Sequence, residues 1–288
     1  MRIVTRFAPS PTGRLHLGHA FSALLAHDFA RSRDGAFLLR IEDIDPGRSR
    51  SEHVDAIIED LAWLGIEWDG EIIFQSERLG LYREALDRLK SAGLVYPCFC
   101  TRSTIAAEIA ASAAAPHGPP GRLYPGTCRR LPEGERERRR TTEPHAWRLD
   151  VAKAAALAGP LYWRDGETEV QAEAERFEDV VLARKDAPVS YHLAVTVDDC
   201  AQGVTDVVRG RDLYAATDIH RLLQALLGLP MPRYHHHPLL LGPDGARLAK
   251  RHGAPTLGEL REAGIDPRAL AADLLTGQMP SGYSVAEA

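Results

Sequence analysis

The chain has 288 residues, 44% hydrophobic and 26% charged, a length and balance that suit a globular protein of one large or two modest domains. Its formal net charge of −5 argues against broad, non-specific binding of nucleic acid, although a local basic face stays compatible with it. The sequence contains no run of roughly 18 apolar residues and no signal peptide, so no membrane association is expected and the default location is cytoplasmic.

The first predicted elements enclose a loop with an anion-binding pattern. Residues 2–5 are predicted to form a short buried strand, and residues 20–32 have the apolar spacing of a helix. Backbone N–H groups and the helix dipole attract anions where such a loop enters a helix. In the connecting run RFAPSPTGRLHLGH, His16 and His19 point to one side and can reach a phosphate. Taken alone, the run also fits a proline-stiffened turn with two surface histidines.

A second strand and two helices follow the loop. Residues 36–41 are predicted to form a parallel strand that delivers Glu42 at its carboxyl end, where open α/β sheets place ligands. Residues 52–64 and 78–90 have helical spacing, so the alternation predicts a doubly wound parallel sheet. Neither a P-loop nor a dinucleotide fingerprint occurs. Phosphate binding is therefore assigned to the opening loop.

Three of the four cysteines have the spacing of metal ligands. Cys98 and Cys100 are too close in sequence for an ordinary disulfide, and Cys128 follows after a proline- and glycine-rich stretch. Three thiolates and one further ligand complete a tetrahedral zinc site. His117 is the conventional fourth ligand, and three unrelated thiols are the alternative interpretation. Cys200 stands apart and is predicted to be a buried thiol.

The middle of the chain is predicted to be rich in strands. Residues 145–151 and 160–164 are predicted strands, and residues 180–184 and 189–197 are also β-rich. The arginines between positions 129 and 140 form either a local basic face or a solvated loop in which glutamates offset them.

Predicted strands and helices alternate again in the last third of the chain. Residues 207–212 are predicted to return to the nucleotide-binding fold, and residues 212–227 to form an amphipathic helix. His235, His236 and His237 are interpreted as the polar entrance of a strand, and two short helices are predicted over residues 256–263 and 267–275. By themselves, Tyr191 would be a core aromatic residue and Arg209 a charge at a strand end.

Two motifs resemble those of a known family. PSPTGRLHLGH resembles the ATP-binding motif of class I glutamyl- and glutaminyl-tRNA synthetases. The pentapeptide RLAKR, directly after LLLGPDG, resembles their second motif, usually Lys-Met-Ser-Lys-Ser, with Arg247 for the first lysine and Ala249 for the serine. The pattern C-x-C…Y-x-x-x-C resembles the zinc site of shortened glutamyl-tRNA synthetase paralogues, in which a tyrosine oxygen is the fourth ligand, so Tyr124 becomes the rival of His117. After Arg251 too few residues remain for an anticodon-binding domain of roughly 100 residues. Together these features resemble the glutamyl-queuosine tRNA(Asp) synthetase family.

The resemblance implies a specific role for each group of site residues. His16, His19 and Lys250 would be catalytic. The residues implied to hold glutamate are Arg6, Phe7, Ala8, Pro9, Ser10, Glu42, Tyr191 and Arg209. The residues implied to hold ATP are Pro9, Thr12, Gly13, His16, Gly18, His19, Arg247, Leu248, Ala249, Lys250 and Arg251. The residues implied to hold one structural zinc are Cys98, Cys100, Tyr124 and Cys128, and Mg²⁺ would accompany ATP.

The same resemblance implies an architecture and a reaction. Residues 1–94 and 189–251 would form two halves of a Rossmann-like α/β catalytic domain. Residues 95–188 would form an inserted zinc-containing α+β domain of the kind that receives the tRNA acceptor end, and residues 252–288 a short helical tail. The enzyme would be a monomer that activates L-glutamate with ATP, without tRNA, and transfers it to queuosine at the wobble position of tRNA(Asp).

Three other functions stay open at this point. A short glutamyl-tRNA synthetase would charge the 3′ end of a tRNA, which the missing C-terminal domain opposes. An inactive paralogue that binds glutamate or ATP is expected to have lost the histidines or Lys250, and it has lost neither. A zinc-dependent nucleic-acid-binding module is opposed by the acidic balance and by the intact ATP motifs.

Overall fold

A computed structural model describes residues 2–101, 103–105, 124–243, 245, 248 and 255–286. The strands are β1 (Val4–Phe7), β2 (Ala36–Ile41), β3 (Ile73–Phe74), β4 (Val95–Cys98), β5 (Ala146–Leu149), β6 (Tyr162–Asp165), β7 (Thr168–Gln171), β8 (Val181–Ala183), β9 (Asp206–Gly210), β10 (Arg233–His237), β11 (Leu240–Leu241) and β12 (Ser284–Val285). The helices are α1 (Leu17–Arg31), α2 (Ser51–Trp63), α3 (Leu79–Ser91), α4 (Glu133–Thr142), α5 (Val151–Ala158), α6 (Tyr191–Ala201), α7 (Ala216–Leu227), α8 (Leu257–Glu262) and α9 (Pro267–Thr276).

Two mainly parallel sheets lie side by side and position the site. In one, β1 pairs in parallel with β2, and β2 with β3. In the other, β10 pairs in parallel with β9 and β6, and β7 runs antiparallel to β6. The backbone N–H of Thr205, just before β9, donates to the carbonyl of Val4 in β1 over 3.0 Å and so joins the two sheets. Ligands of open α/β sheets bind in a crevice at such a junction.

The apolar spacing of the sequence explains how helices cover the sheets. In α1, Leu17, Phe21 and Leu24 lie on one face and are buried against the central strands. In β2, Phe37, Leu39 and Ile41 are fully buried. This confirms the predicted parallel-sheet α/β fold, and the predicted bounds of β2 are those observed. Among the described helices, none is both long and apolar enough to cross a membrane.

The prediction of β-rich structure over residues 189–197 is wrong, because residues 191–201 form α6. Its β-branched residues favour a strand by propensity, but tertiary packing overrides such a preference. Leu193 and Ala194 are fully buried in the core that α6 shares with α3 and α7, and this packing decides the conformation. The arginine-rich stretch, interpreted as either a basic face or a solvated loop, is a helix from residue 133, α4, and neighbouring glutamates pair with its arginines.

A separate antiparallel sheet, β4–β5–β8, has Cys98 at the end of its strand β4. Val95 of β4 is aligned with Leu149 of β5, and β5 pairs in turn with β8. This α+β part of the structure agrees with the predicted fold class, whereas the four-part division of the chain stays a prediction. At the other end, β12 pairs antiparallel with β11, with Leu240 opposite Val285. The last described residues are thus hydrogen-bonded beside the strand that leads to the second motif.

Candidate active site

A cavity of about 620 Å³ opens where β1 and β9 end. It collects residues from the opening loop, α1, the end of β2, the start of α6 and the end of β9. The predicted site residues that line it are Arg6, Phe7, Ala8, Pro9, Ser10, Thr12, Gly13, His16, Gly18, His19, Glu42, Tyr191, Arg209 and Leu248. Arg247, Ala249, Lys250 and Arg251 lie outside the described residues.

His16 and His19 form an unusual capping box at the start of α1. The backbone N–H of Gly18 donates to His16 Nδ1 over 3.1 Å, and the backbone N–H of His16 donates to His19 Nδ1 over 3.2 Å. Because each Nδ1 accepts a hydrogen bond, a neutral ring carries its proton on Nε2. The two ring centroids are 3.8 Å apart. A Cβ atom at Gly18 would lie 3.1 Å from the His16 ring, so a larger residue would have to displace this ring slightly.

A buried ionic network lies at the carboxyl ends of β1 and β2. Asp199 accepts from Arg6 Nε over 3.0 Å and from Arg40 Nη1 over 2.9 Å. Glu42 lies 3.6 Å from Arg40 Nη2, and its side chain is 8% exposed. Burial raises the pKa of Glu42 to about 7, against the opposing attraction of Arg40 and Arg6. The network therefore presents a carboxyl group that titrates near neutral pH.

Tyr191 and Arg209 approach each other across the cavity wall. Tyr191 is the first residue of α6, and Arg209 lies near the end of β9 and is 5% exposed. Arg209 Nη1 lies 3.5 Å from the Tyr191 hydroxyl, and Nη2 donates to Thr217 Oγ1 over 2.7 Å. A guanidinium held in this way can offer a carboxylate its positive charge and the Nη1–H on the Tyr191 side.

Sequence reasoning missed the partners that hold these groups. Asp198 accepts from Gln75 over 2.8 Å and from Tyr82 over 2.7 Å and so links α3 to α6 beside Asp199. Two signals were present. Arg40 is a charge within an apolar strand, and the two aspartates follow an apolar run in α6. A charge in a predicted buried segment needs a buried partner.

Cys98, Cys100 and Cys128 form a cluster with the chemistry of a metal site. Their sulfur atoms lie within 4.8 Å of one another, and the Tyr124 hydroxyl lies 3.6 Å from Cys98 Sγ. Arg148 Nε donates to Cys98 Sγ over 3.3 Å, and a positive charge at this position favours thiolates. The cluster fits a soft metal such as zinc. His117 lies outside the described residues, so its prediction is neither confirmed nor contradicted.

The chain is similar to tRNA synthetases along most of its length. Residues 2–283 match the family described as tRNA synthetases class I (E and Q), catalytic domain. The chain is 50% identical over 275 residues to a Glutamyl-Q tRNA(Asp) synthetase of Rhodobacter capsulatus, covering 92% of this chain and 97% of that relative. It is 46% identical over 285 residues to a relative of the same name from Symbiobacterium thermophilum, covering 93% and 84% of the two chains.

A solved structure is similar as well. The crystal structure of a glutamate tRNA ligase from Elizabethkingia meningosepticum, in complex with its amino acid, superposes with a TM-score of 0.81 at 28% identity. The match covers 96% of this chain but 61% of that one, so the chain spans about three fifths of the length of the ligase.

Proposed function

The chain belongs to the class I tRNA synthetases for glutamate and glutamine, and from that premise we propose that it activates L-glutamate with ATP and transfers it to queuosine in tRNA(Asp). One observation carries the first half of the proposal. A single cavity holds the paired histidines of the opening loop, the carboxyl group of Glu42 and the guanidinium of Arg209. These groups complement ATP phosphates, an ammonium group and a side-chain carboxylate, respectively.

The protein does not have to remove a proton from glutamate during activation. The α-carboxylate of glutamate is ionised at neutral pH, so one of its oxygens attacks the α-phosphorus of ATP without a general base. A bond forms between the carboxylate oxygen and the α-phosphorus. The bond from that phosphorus to the oxygen that bridges to the β-phosphate breaks, and pyrophosphate leaves with the electron pair on this oxygen. Catalysis then consists of holding the reactants in line and stabilising charge on the phosphate oxygens.

The ATP side of the site is assigned to the opening loop and the second motif. Nε2–H groups of His16 and His19 donate to phosphate oxygens, which follows from the acceptor role of each Nδ1. Lys250, by its place in the second motif, would stabilise charge on the phosphates, and Arg247 and Leu248 of the same motif would bind the nucleotide. Mg²⁺ bound with ATP would supply further compensation of phosphate charge.

The glutamate side follows the charges of the cavity. Glu42 faces the ammonium group, whose charge favours the ionised carboxylate. Arg209 and Tyr191 hold the side-chain carboxylate, and Arg6 with Ser10 completes the pocket. The amide of glutamine lacks the charge that the guanidinium attracts, which favours glutamate.

We assign a structural zinc to the cysteine cluster. Cys98, Cys100 and Cys128 supply three thiolates, and Tyr124 is the proposed fourth ligand because its hydroxyl lies beside Cys98. Four protein ligands leave no position for substrate, so this zinc would stabilise the local fold without taking part in the reaction.

The proposed acceptor rests on similarity along nearly the whole length of a relative named for transfer to tRNA(Asp). The test uses tRNA(Asp) whose 3′-terminal ribose lacks its cis-diol, with and without queuosine, and radioactive glutamate. Transfer to the queuosine-containing tRNA alone is expected. Equal labelling of queuosine-free tRNA(Asp) would refute the queuosine assignment. Labelling that requires an intact 3′ end would instead indicate a short glutamyl-tRNA synthetase.

A further inference from the structure

Arg209 is surrounded by neutral hydrogen-bond acceptors. Its Nε donates to His236 Nε2 over 3.2 Å, and its Nη1 lies 3.3 Å from His220 Nδ1. Its Nη2 donates to Thr217 Oγ1 over 2.7 Å and to the Leu213 carbonyl over 3.2 Å. These contacts fix the guanidinium plane in a wall of the cavity.

None of these partners carries a negative charge. Within the described parts of the chain, no carboxylate oxygen lies within 4 Å of the Arg209 nitrogens. The neighbouring Arg6 and Arg40 differ from Arg209 in this respect, since both contact the carboxylate of Asp199. A buried guanidinium without an anion is unfavourable in the empty protein and is stabilised by an anionic ligand.

The geometry also specifies the tautomers of the two histidines. A guanidinium can only donate, so His220 Nδ1 and His236 Nε2 carry no proton. His220 therefore donates from Nε2 to His192 Nδ1 over 3.2 Å, and His236 donates from Nδ1 to Asp165 over 3.0 Å. Burial and the charge of Arg209 lower the pKa of His220 well below its ordinary value, and the pKa of His236 to about 4. Both rings are thus neutral at physiological pH.

We propose that His220 and His236 are positioning residues that set amino-acid specificity, because they orient Arg209 with uncharged acceptors and leave its positive charge to the side-chain carboxylate of the substrate. The inference rests on the proposed glutamate activation and deepens it. An aspartate or glutamate beside Arg209 would orient the guanidinium equally well, but it would compensate the charge before the substrate arrives. Discrimination against glutamine would then decrease.

A matched pair of variants separates charge from shape. In His220→Asn, the amide oxygen can take the place of Nδ1 and accept from Arg209. His220→Asp has nearly the same shape but adds a negative charge. We expect His220→Asp to raise KM for glutamate at least about tenfold more than His220→Asn does, with kcat changed much less. The ratio of kcat/KM for glutamine to that for glutamate should increase in His220→Asp. ATP–pyrophosphate exchange, measured with glutamate and separately with glutamine as the varied amino acid, gives these quantities.

The control is a histidine of α1 remote from the cavity. His27 is partly buried against Phe37, and neither residue is among those that line the cavity. His27→Asn and His27→Asp should both keep the wild-type KM for glutamate. Equal KM values for the two His220 variants would overturn the proposal, since a merely structural role does not distinguish Asn from Asp.

Folding is checked by thermal melting of each variant. If His220→Asp does not fold, the same comparison is made with His236→Gln and His236→Glu, because the Gln amide oxygen can replace Nε2 as the acceptor. Equal KM values for that pair would likewise contradict the inference. Absence of glutamate-dependent exchange in the wild-type protein would contradict the proposed function itself and is a separate outcome.

Discussion

The backbone N–H of Leu257 donates to the carbonyl of Leu15 over 2.9 Å, which fixes the first residue of α8 to the loop before α1. The neighbouring Thr256 forms an isolated antiparallel bridge with His16. Leu257 is fully buried in the same core as Leu17. The C-terminal segment therefore supports the histidine pair directly, even though it follows the second motif in sequence.

The first prediction concerns Thr256. Its hydroxyl accepts from the Glu259 backbone N–H over 3.2 Å in a capping box that starts α8. Thr256→Ala should lower the free energy of unfolding by about 1 kcal/mol and should raise KM for ATP more than KM for glutamate. Denaturant unfolding and pyrophosphate exchange measure the two effects. Thr276→Ala, at the exposed end of α9, is the control and should change neither KM. Equal changes in both KM values would show that the bridge does not act on the ATP side.

A second prediction follows from the raised pKa of Glu42. Because the protonated carboxyl group cannot attract an ammonium group, kcat/KM for glutamate should rise with pH through the pKa of about 7 and then level off. Glu42→Gln should lower kcat/KM about tenfold or more and should remove this pH dependence. Exchange assays from about pH 5.5 to about pH 8.5 provide the test, because this range extends beyond both ends of a single titration centred near pH 7. Glu84→Gln on the exposed face of α3 should keep the wild-type profile. An unchanged profile in Glu42→Gln would assign the titration to another group.

The third prediction contrasts a buried arginine with an exposed one. Arg40 is fully buried and contacts both Asp199 and Glu42, so Arg40→Met should destabilise the protein by about 3–5 kcal/mol, because Asp199 would keep only Arg6 and Glu42 would lose its ion-pair partner. Arg31 pairs with Asp69 over 2.7 Å where both side chains are more than a third exposed, at 35% and 39%. Arg31→Met should cost about 1 kcal/mol or less. Similar unfolding free energies for the two variants would contradict the role given to the buried network.

The fourth prediction concerns the cysteine cluster. Cys98→Ser should lose the bound zinc and melt at a lower temperature than the wild type, since metal binding stabilises the folded state. Native mass spectrometry gives the metal content, and differential scanning calorimetry gives the melting temperature. Cys200→Ser changes the cysteine outside the cluster and should retain the metal. Full zinc occupancy in Cys98→Ser would exclude this residue as a ligand.

The fifth prediction tests the second motif. Lys250→Ala should slow glutamate-dependent pyrophosphate exchange about 100-fold or more, because a positive charge that stabilises the transition state is removed. The control is Lys153→Ala, which removes an exposed lysine that donates to the Gly93 carbonyl. This variant should leave the exchange rate unchanged. Wild-type exchange rates in Lys250→Ala would reject the assignment of this lysine.

Local patterns in the sequence were sufficient for much of the fold. Apolar spacing identified β2 and the helices α2 and α3 to within one residue at each end, because their buried faces repeat with the period of the element. The loop from Arg6 to His19, predicted to bind anions, lines the cavity, and the three cysteines predicted to bind metal form one cluster, because those residues are close in sequence or have distinctive spacing. These features required no knowledge of distant contacts.

Only the tertiary structure decided how the charges of the site are arranged. Arg40 meets Asp199 across 159 positions of sequence, and Arg209 meets His220 and His236 from two other elements. The conformation of residues 191–201 was decided in the same way, by burial of Leu193 between neighbouring helices. Such partnerships depend on which buried groups the fold brings within a few ångströms of each other, and no local period encodes them. The sequence by itself thus determined most of the elements and the spacing of the candidate ligands. Packing determined which buried charges are compensated, and around Arg209 it placed neutral acceptors.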